Sequence, residues 1–391
     1  MGAPVRVVPE CGAERLVIGW STRPVTWCGL VVALVALAGC SPNDSPDDSP
    51  TTPTSTAEAA PATVEVTEVD DILGDLDIPW GLAFLPDGQA VVTLRGAAEL
   101  VLVGPDGAAT DVTGPGADEL VDLVVPGGEG GLLGVAVLGS DGSAVDLALY
   151  ATATDDNRVL RGTLDGSVLG ELRPILTGIE KAGNHDGGRL AVGPDDFLYV
   201  TTGDAGNPPS AQDPDSLNGK ILRITADGDP APGNPDEGSP VWSLGHRNVQ
   251  GLGWAPDGRM FASEFGQNTW DELNLIEPGG NYGWPEVEGE GGGADFVEPV
   301  AVWPTTEASP SGLAVTEEAV YLAGLRGERL WRVPLTEDGV GTPQALLEGE
   351  HGRLRAVEPA PDGSLWVVTG NTDGRGDPRD GDDRILRVVV D

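Results

Sequence analysis

The stretch Gly81-Leu-Ala-Phe-Leu-Pro-Asp-Gly-Gln-Ala-Val-Val-Thr93 decides the fold. Two short apolar runs flank Pro-Asp-Gly, whose proline and glycine supply the backbone angles of a tight turn, so the segment reads as a β-hairpin. It returns as Leu190-Ala-Val-Gly-Pro-Asp-Asp-Phe-Leu-Tyr-Val-Thr-Thr202, as Gly251-Leu-Gly-Trp-Ala-Pro-Asp-Gly-Arg-Met-Phe-Ala-Ser263 and as Val357-Glu-Pro-Ala-Pro-Asp-Gly-Ser-Leu-Trp-Val-Val-Thr369. The turn prolines stand at 86, 194, 256 and 361, so two gaps are close to twice the third. Weaker copies fill both: Gly134-Val-Ala-Val-Leu-Gly-Ser-Asp-Gly142 leading to Leu147-Ala-Leu-Tyr150, and Gly312-Leu-Ala-Val-Thr-Glu-Glu-Ala-Val-Tyr-Leu322. Six copies at this spacing have the size of propeller blades, and a four-stranded blade cannot bury both faces without neighbours. The expectation is all-β: a six-bladed β-propeller of four-stranded antiparallel blades. A large sandwich, the rival, offers no reason for so regular a period.

The 391 residues carry 63 Asp+Glu against 22 Lys+Arg, a net charge of −41. That balance excludes a nucleic-acid partner, which needs a basic face to neutralise phosphates, and argues against docking on anionic lipid by charge. Three cysteines cannot build a disulfide framework. Cys28-Gly-Leu-Val-Val-Ala-Leu-Val-Ala-Leu-Ala-Gly39 is apolar over a signal-peptide length, too short to span a bilayer. Leu37-Ala-Gly-Cys40 resembles a bacterial lipobox, which implies cleavage after residue 39 and a lipid anchor through Cys40; an ordinary secretory signal is the alternative. Residues 1–39 are thus expected to be a lipoprotein signal peptide and 40–63 a Ser/Thr/Pro/Asp linker that cannot bury enough apolar surface to order itself. The propeller is expected over 64–391, exported and held at the outer face of the cytoplasmic membrane.

All three histidines precede copies of the repeat: Asn184-His185-Asp-Gly-Gly-Arg-Leu190, Leu244-Gly-His-Arg-Asn-Val-Gln-Gly251 and Glu350-His-Gly-Arg-Leu-Arg355. Equivalent positions of successive blades point to one end of the channel, so these segments are expected to converge and bring imidazole, guanidinium and amide groups together.

Read in order, several segments resemble the PQQ-dependent aldose sugar dehydrogenases of the soluble quinoprotein glucose dehydrogenase family. They are Pro79-Trp-Gly-Leu-Ala-Phe-Leu-Pro-Asp-Gly88, Gly128-Glu-Gly-Gly-Leu-Leu-Gly134, His185-Asp-Gly-Gly-Arg-Leu190, Gly203-Asp-Ala-Gly206, Leu217-Asn-Gly-Lys-Ile-Leu-Arg223, Leu244-Gly-His-Arg-Asn-Val-Gln-Gly251, Asp271-Glu-Leu-Asn274, Gly279-Gly-Asn-Tyr-Gly-Trp-Pro285 and Gly381-Asp-Asp-Arg-Ile-Leu-Arg387. The resemblance implies the same six-bladed fold and oxidation of an aldose to its lactone with PQQ and Ca²⁺, the electrons leaving to an unidentified acceptor.

It also implies residue roles. His185 would be the general base, a task that suits an imidazole because its ordinary pKa lies near working pH. Arg247 would stabilise negative charge on the quinone, with Asn248 and Gln250 completing that face. Arg326, Arg353 and Arg355 would contact the cofactor's carboxylates, and Trp303 and Thr305 would line the pocket. Glu129 stands where the glucose enzyme has Gln, which leaves open whether it meets cofactor or sugar. Gly266 and Gln267 would offer backbone carbonyls to Ca²⁺, although the family commonly has Pro at the latter position, which puts loop rigidity in question. A second, structural Ca²⁺ would use Glu272 and the Tyr282 carbonyl. The acidic run Asp373–Asp383 lacks EF-hand spacing and reads as solvated surface. The stretch between Gly289 and Trp303 is short, which implies an open site and broad aldose acceptance. Two other readings stay open. A non-catalytic binding propeller would have no need of the arginine set, and a lactonase-type Ca²⁺ propeller would need carboxylates converging in the channel.

Overall fold

The computed structural model describes residues 64–391; the signal segment, Cys40 and the whole linker lie outside the described residues. Six antiparallel sheets follow one another along the chain. Blade 1 runs through Pro79–Phe84, Ala90–Leu94, Glu99–Val103 and Ala109–Asp111. Blade 2 has Leu132–Asp141, Ala144–Thr152, Asn157–Asp165 and Arg173–Ile179, and blade 3 has Leu190–Val192, Leu198–Thr201, Lys220–Ile224 and Val241–Leu244. Blade 4 comprises Val249–Trp254, Met260–Glu264, Trp270–Ile276 and Ala301–Pro304, while blade 5 comprises Pro310–Val315, Ala319–Gly324, Arg329–Thr336 and Gln344–Leu346. Blade 6 is composite. Its strands Leu354–Pro359, Leu365–Thr369 and Ile385–Val390 come from the C-terminus, and Val66–Leu73 from the start of the described chain completes it by pairing with Ile385–Val390. The ring closes by hydrogen bonds between strands more than 300 residues apart, which leaves no seam between first and last blades. Every copy of the repeat is the first hairpin of a blade, so the expected architecture is the observed one.

The two ends of the repeat have separate physical jobs. Its leading glycine lets adjacent first strands approach around the axis. A Cβ on Gly134 would meet the Gly188 carbonyl at 2.2 Å, and one on Gly251 the Ser311 carbonyl at 2.5 Å. In three copies a Thr or Ser near the end of the second strand is buried and bonds to a neighbouring blade. Thr93 donates to the Leu133 carbonyl (2.6 Å), Thr201 to that of Val249 (2.8 Å) and Ser263 to that of Ser311 (2.6 Å). Apolar layers between blades supply the bulk of the stabilisation. One such layer joins Leu100, Leu102 and Val91 of blade 1 to Leu147, Leu149 and Leu160 of blade 2. Lys220, one of two lysines, is fully buried and donates to the carbonyls of Ser210, Ala211 and Asn218 at 2.7–3.0 Å. It acts there as a fixed internal cation that gathers a loop. The one α-helix among the described residues, Pro115–Leu123, sits on blade 1's flank with Leu120 buried; the repeat pattern carries no sign of it.

Candidate active site

In an up-and-down blade, the start of the first strand and the end of the second lie at the same end of the channel. Loops at those positions therefore share one rim, and they enclose a cavity of about 390 Å³. Glu129, His185, Arg247 with Asn248, Ser309 and Arg353 reach it from just before first strands, while Phe265, Gly266, Leu325 and Arg326 reach it from just after second strands. Arg375 completes the wall from the loop between the second and third strands of blade 6.

His185 is built to be oriented. Its backbone takes φ of 60°, a conformation seldom adopted by a side-chain-bearing residue. Three contacts hold it: its N–H donates to Glu129 Oε2 (2.9 Å), its carbonyl accepts from Ala205, and its Nδ1 bonds Asp204 Oδ1 at 2.6 Å. The close passage of Gly203 below it is compulsory, since a Cβ there would lie 2.0 Å from the His185 carbonyl. Asp204 is buried, and its other oxygen accepts the Trp284 indole N–H at 2.8 Å. Burial works against the Asp204 carboxylate, yet the hydrogen bond and charge of His185 and the Trp284 indole hold its pKa below the ordinary value. A carboxylate on Nδ1 fixes that nitrogen as the protonated one and leaves Nε2 as the basic atom.

The rest of the wall is largely cationic. Arg247 stacks over Trp284 at 5.4 Å, and one guanidinium nitrogen donates to the Phe265 carbonyl (3.1 Å). Its buried Nε has no partner, an unsatisfied donor beside the cavity. Arg326 is exposed and unpaired among the described residues. Arg353 pairs with the buried Asp373 at 2.9 Å, and Arg355 meets the same oxygen at 3.3 Å. Burial pushes Asp373 up, but the two guanidinium charges bring it below the ordinary carboxylate range.

Beside this wall the loop Phe265–Thr269 leads into strand Trp270–Ile276. Glu288 Oε1 accepts four consecutive backbone N–H groups, from Gln267, Asn268, Thr269 and Trp270, at 2.7–3.2 Å. Asp271 adds a bond from Gly266 N–H (2.9 Å) and another from Ser309 N–H (2.6 Å). Burial raises the Asp271 pKa to about 6. The loop is thus fixed without the proline that the resemblance implies at 267. A small adjoining cavity is lined by Glu264, Glu272, Tyr282 and Glu288. Burial pushes Glu272 up to about 8, and the neighbouring Glu264 charge adds to it. Asn274 lies between these two carboxylates, and its buried Oδ1 has no partner.

Residues 76–386 match the glucose/sorbosone dehydrogenase family. The chain belongs to that family. It is 31% identical to the aldose sugar dehydrogenase YliI of Escherichia coli K12 over 355 residues, covering 81% of this chain and 92% of the relative. It is 32% identical over 276 residues to quinoprotein glucose dehydrogenase B of Acinetobacter calcoaceticus, covering 62% of this chain and 56% of that one. Among solved structures it is similar to the PQQ-bound aldose sugar dehydrogenase of Streptomyces coelicolor, with 51% identity, a TM-score of 0.78 and coverage of 84% of this chain and 98% of the other. As a member of the glucose/sorbosone dehydrogenase family the chain is an oxidoreductase acting on sugars.

Against the family expectation, the structure gathers His185, Arg247, Asn248, Glu129, Arg326, Arg353 and Gly266 on the cavity and displaces others. Gln250 and Arg355 lie beneath it, joined at 3.1 Å, because period-2 alternation sends both side chains into the axis of the propeller. Burial lowers the Arg355 pKa to about 9. Trp303 does not line the cavity; it sits on the outermost strand of blade 4 and packs in apolar core against Trp331 at 5.6 Å. Thr305, one turn further, bonds back to Thr269 and also stands off the cavity wall. Of the three histidines only His185 reaches the cavity. His246 is fully buried between Ser243 and Glu264, stacked on Tyr282, and His351 lies off the wall. The run Asp373–Asp383 is not all solvated surface: Asp373 serves Arg353 and Arg355, and the buried Asp383 accepts from Thr369, Asn371 and Thr372. Asp204, Glu288 and Arg375 were missed. Asp204 was visible within Gly203-Asp-Ala-Gly206, but its pairing with His185 needs the two loops folded together.

Proposed function

We propose that this dehydrogenase oxidises aldoses at C1 to lactones, with PQQ as electron acceptor and Ca²⁺ as its anchor. The observation that carries the reading is one cavity lined both by a carboxylate-oriented imidazole and by guanidinium groups. The Streptomyces relative described as PQQ-bound supports it. The donor set fits a tricarboxylate: Arg247, Arg326 and Arg353 face the space, and Arg247 brings an unpartnered buried N–H. When bound, PQQ supplies the hydride acceptor. His185 Nε2 removes the proton of the C1 hydroxyl as the C1 hydrogen leaves with its electron pair, and Asp204 stabilises the imidazolium that forms. Arg247 and Asn248 present positive charge and an amide to the acceptor's developing negative charge.

For Ca²⁺, the Gly266 and Gln267 carbonyls would hold an anchoring ion, on a loop that Glu288 keeps in shape. A second ion would be held by Glu272 and the Tyr282 carbonyl, where buried carboxylates crowd together beside the unpartnered Asn274 Oδ1. Cys40 would anchor the mature protein at the outer face of the cytoplasmic membrane, where an unidentified acceptor takes the electrons. The test is dye reduction by purified protein given PQQ, Ca²⁺ and a panel of aldoses. Turnover that needs all three, and that His185→Ala abolishes, is expected; absence of turnover over the whole panel despite PQQ binding would sink the reading.

A further inference from the structure

We infer that Arg375 is a specificity-determining residue, the counter-ion that makes an acidic Glu129 compatible with a polyanionic cofactor. The inference rests on the PQQ reading above. Glu129 stands on the loop leading into blade 2 and Arg375 on the loop of blade 6, 246 residues later, yet Nη1 lies 2.9 Å from Glu129 Oε1 and both side chains line the cavity. The pair bridges the cavity rim.

Glu129 has little freedom to turn away. Its second oxygen is committed to the His185 N–H, and its side chain is 18% exposed. Burial pushes this carboxyl up, but the Arg375 hydrogen bond and the His185 N–H bring it below the ordinary Glu value, so it is ionised at neutral pH. A fixed negative charge on the wall of a site for a tricarboxylate repels that ligand unless it is neutralised where it stands. Arg375 is placed to do so. Although half exposed, its backbone N–H donates to Asp373 Oδ1 at 2.9 Å, and the other oxygen of Asp373 binds Arg353 and Arg355. The loop presenting Arg375 is therefore anchored on the same buried carboxylate that positions the wall cations. Most exposed ion pairs contribute little, being free to part in water. This one is held at both ends.

Calorimetric titration of PQQ, with Ca²⁺ present, into wild type, Arg375→Ala, Glu129→Gln and the double variant tests this, with thermal melting to confirm folding. Arg375→Ala is expected to weaken PQQ binding about tenfold or more, because Glu129 is left uncompensated. Glu129→Gln in the same background is expected to restore binding to within about threefold of wild type, since an amide still accepts the His185 N–H without charge. Arg375→Ala binding like wild type, or a double variant as weak as the single, overturns the inference while leaving the dehydrogenase reading in place. A wild-type protein that binds no PQQ overturns both.

Discussion

Two polar regions of this molecule behave oppositely. Around the propeller axis, Thr93, Thr201 and Ser263 each give their hydroxyl to a carbonyl of the next blade, and further out in blade 3 Lys220 donates to three carbonyls. At the cavity rim, Arg247 Nε and, nearby, Asn274 Oδ1 are buried without partners, and Arg326 stands free. Internally satisfied polar groups stabilise a structure; unpartnered ones beside a cavity are available to bind there. The difference separates the repeat, which builds the ring, from the loops, which build the site.

The comparison breaks most decisively at His185. His185→Ala should lower sugar-dependent dye reduction by about a thousandfold while leaving the melting temperature within a few degrees; a variant with near-normal turnover would remove the imidazole from the chemistry. Asp204→Asn should cost about a hundredfold in kcat with PQQ affinity unchanged, since an amide favours the wrong tautomer and cannot stabilise the imidazolium. On the other side of the comparison, Gly251→Ala should destabilise the ring by about 2 kcal/mol, because the new methyl meets backbone. Chemical denaturation would show it, and no loss would refute the close-approach argument. Glu288→Gln should weaken Ca²⁺ retention about tenfold by loosening the loop through 267, measured by chelator competition. The smallest effect is one of pH. The folded pKa of Asp373 is depressed, so its contribution is present above its unfolded value and is lost as pH falls through the folded one. Asp373→Asn should therefore flatten the acid limb of the stability profile below about pH 4.

The site was half legible. His185, Arg247, Asn248 and Arg353 could be found because each stands a few residues before a first strand, and the repeat numbers those strands. Trp303 and Thr305 were misplaced because an outer strand has no such tie: alternation says that Trp303 faces one side of a sheet, not whether a cavity or the next blade lies there. Arg375 and Glu288 come from irregular loops, where no period constrains direction. Their partners, Glu129 and the N–H groups of residues 267–270, are distant in the chain or invisible as backbone.

What the sequence determined by itself was the number of blades, the excess of acid over base and the end of the channel at which the site loops meet. These follow from local chemistry, since a Pro-Asp-Gly turn and a two-residue period act over a dozen residues and repeat. Tertiary structure alone decided that the chain's beginning and end share blade 6, that one histidine of three meets the cavity, and that Asp373 and Asp204 are buried counter-ions rather than surface acids. A carboxylate's role depends on what is packed over it, and that is supplied by residues tens to hundreds of positions away.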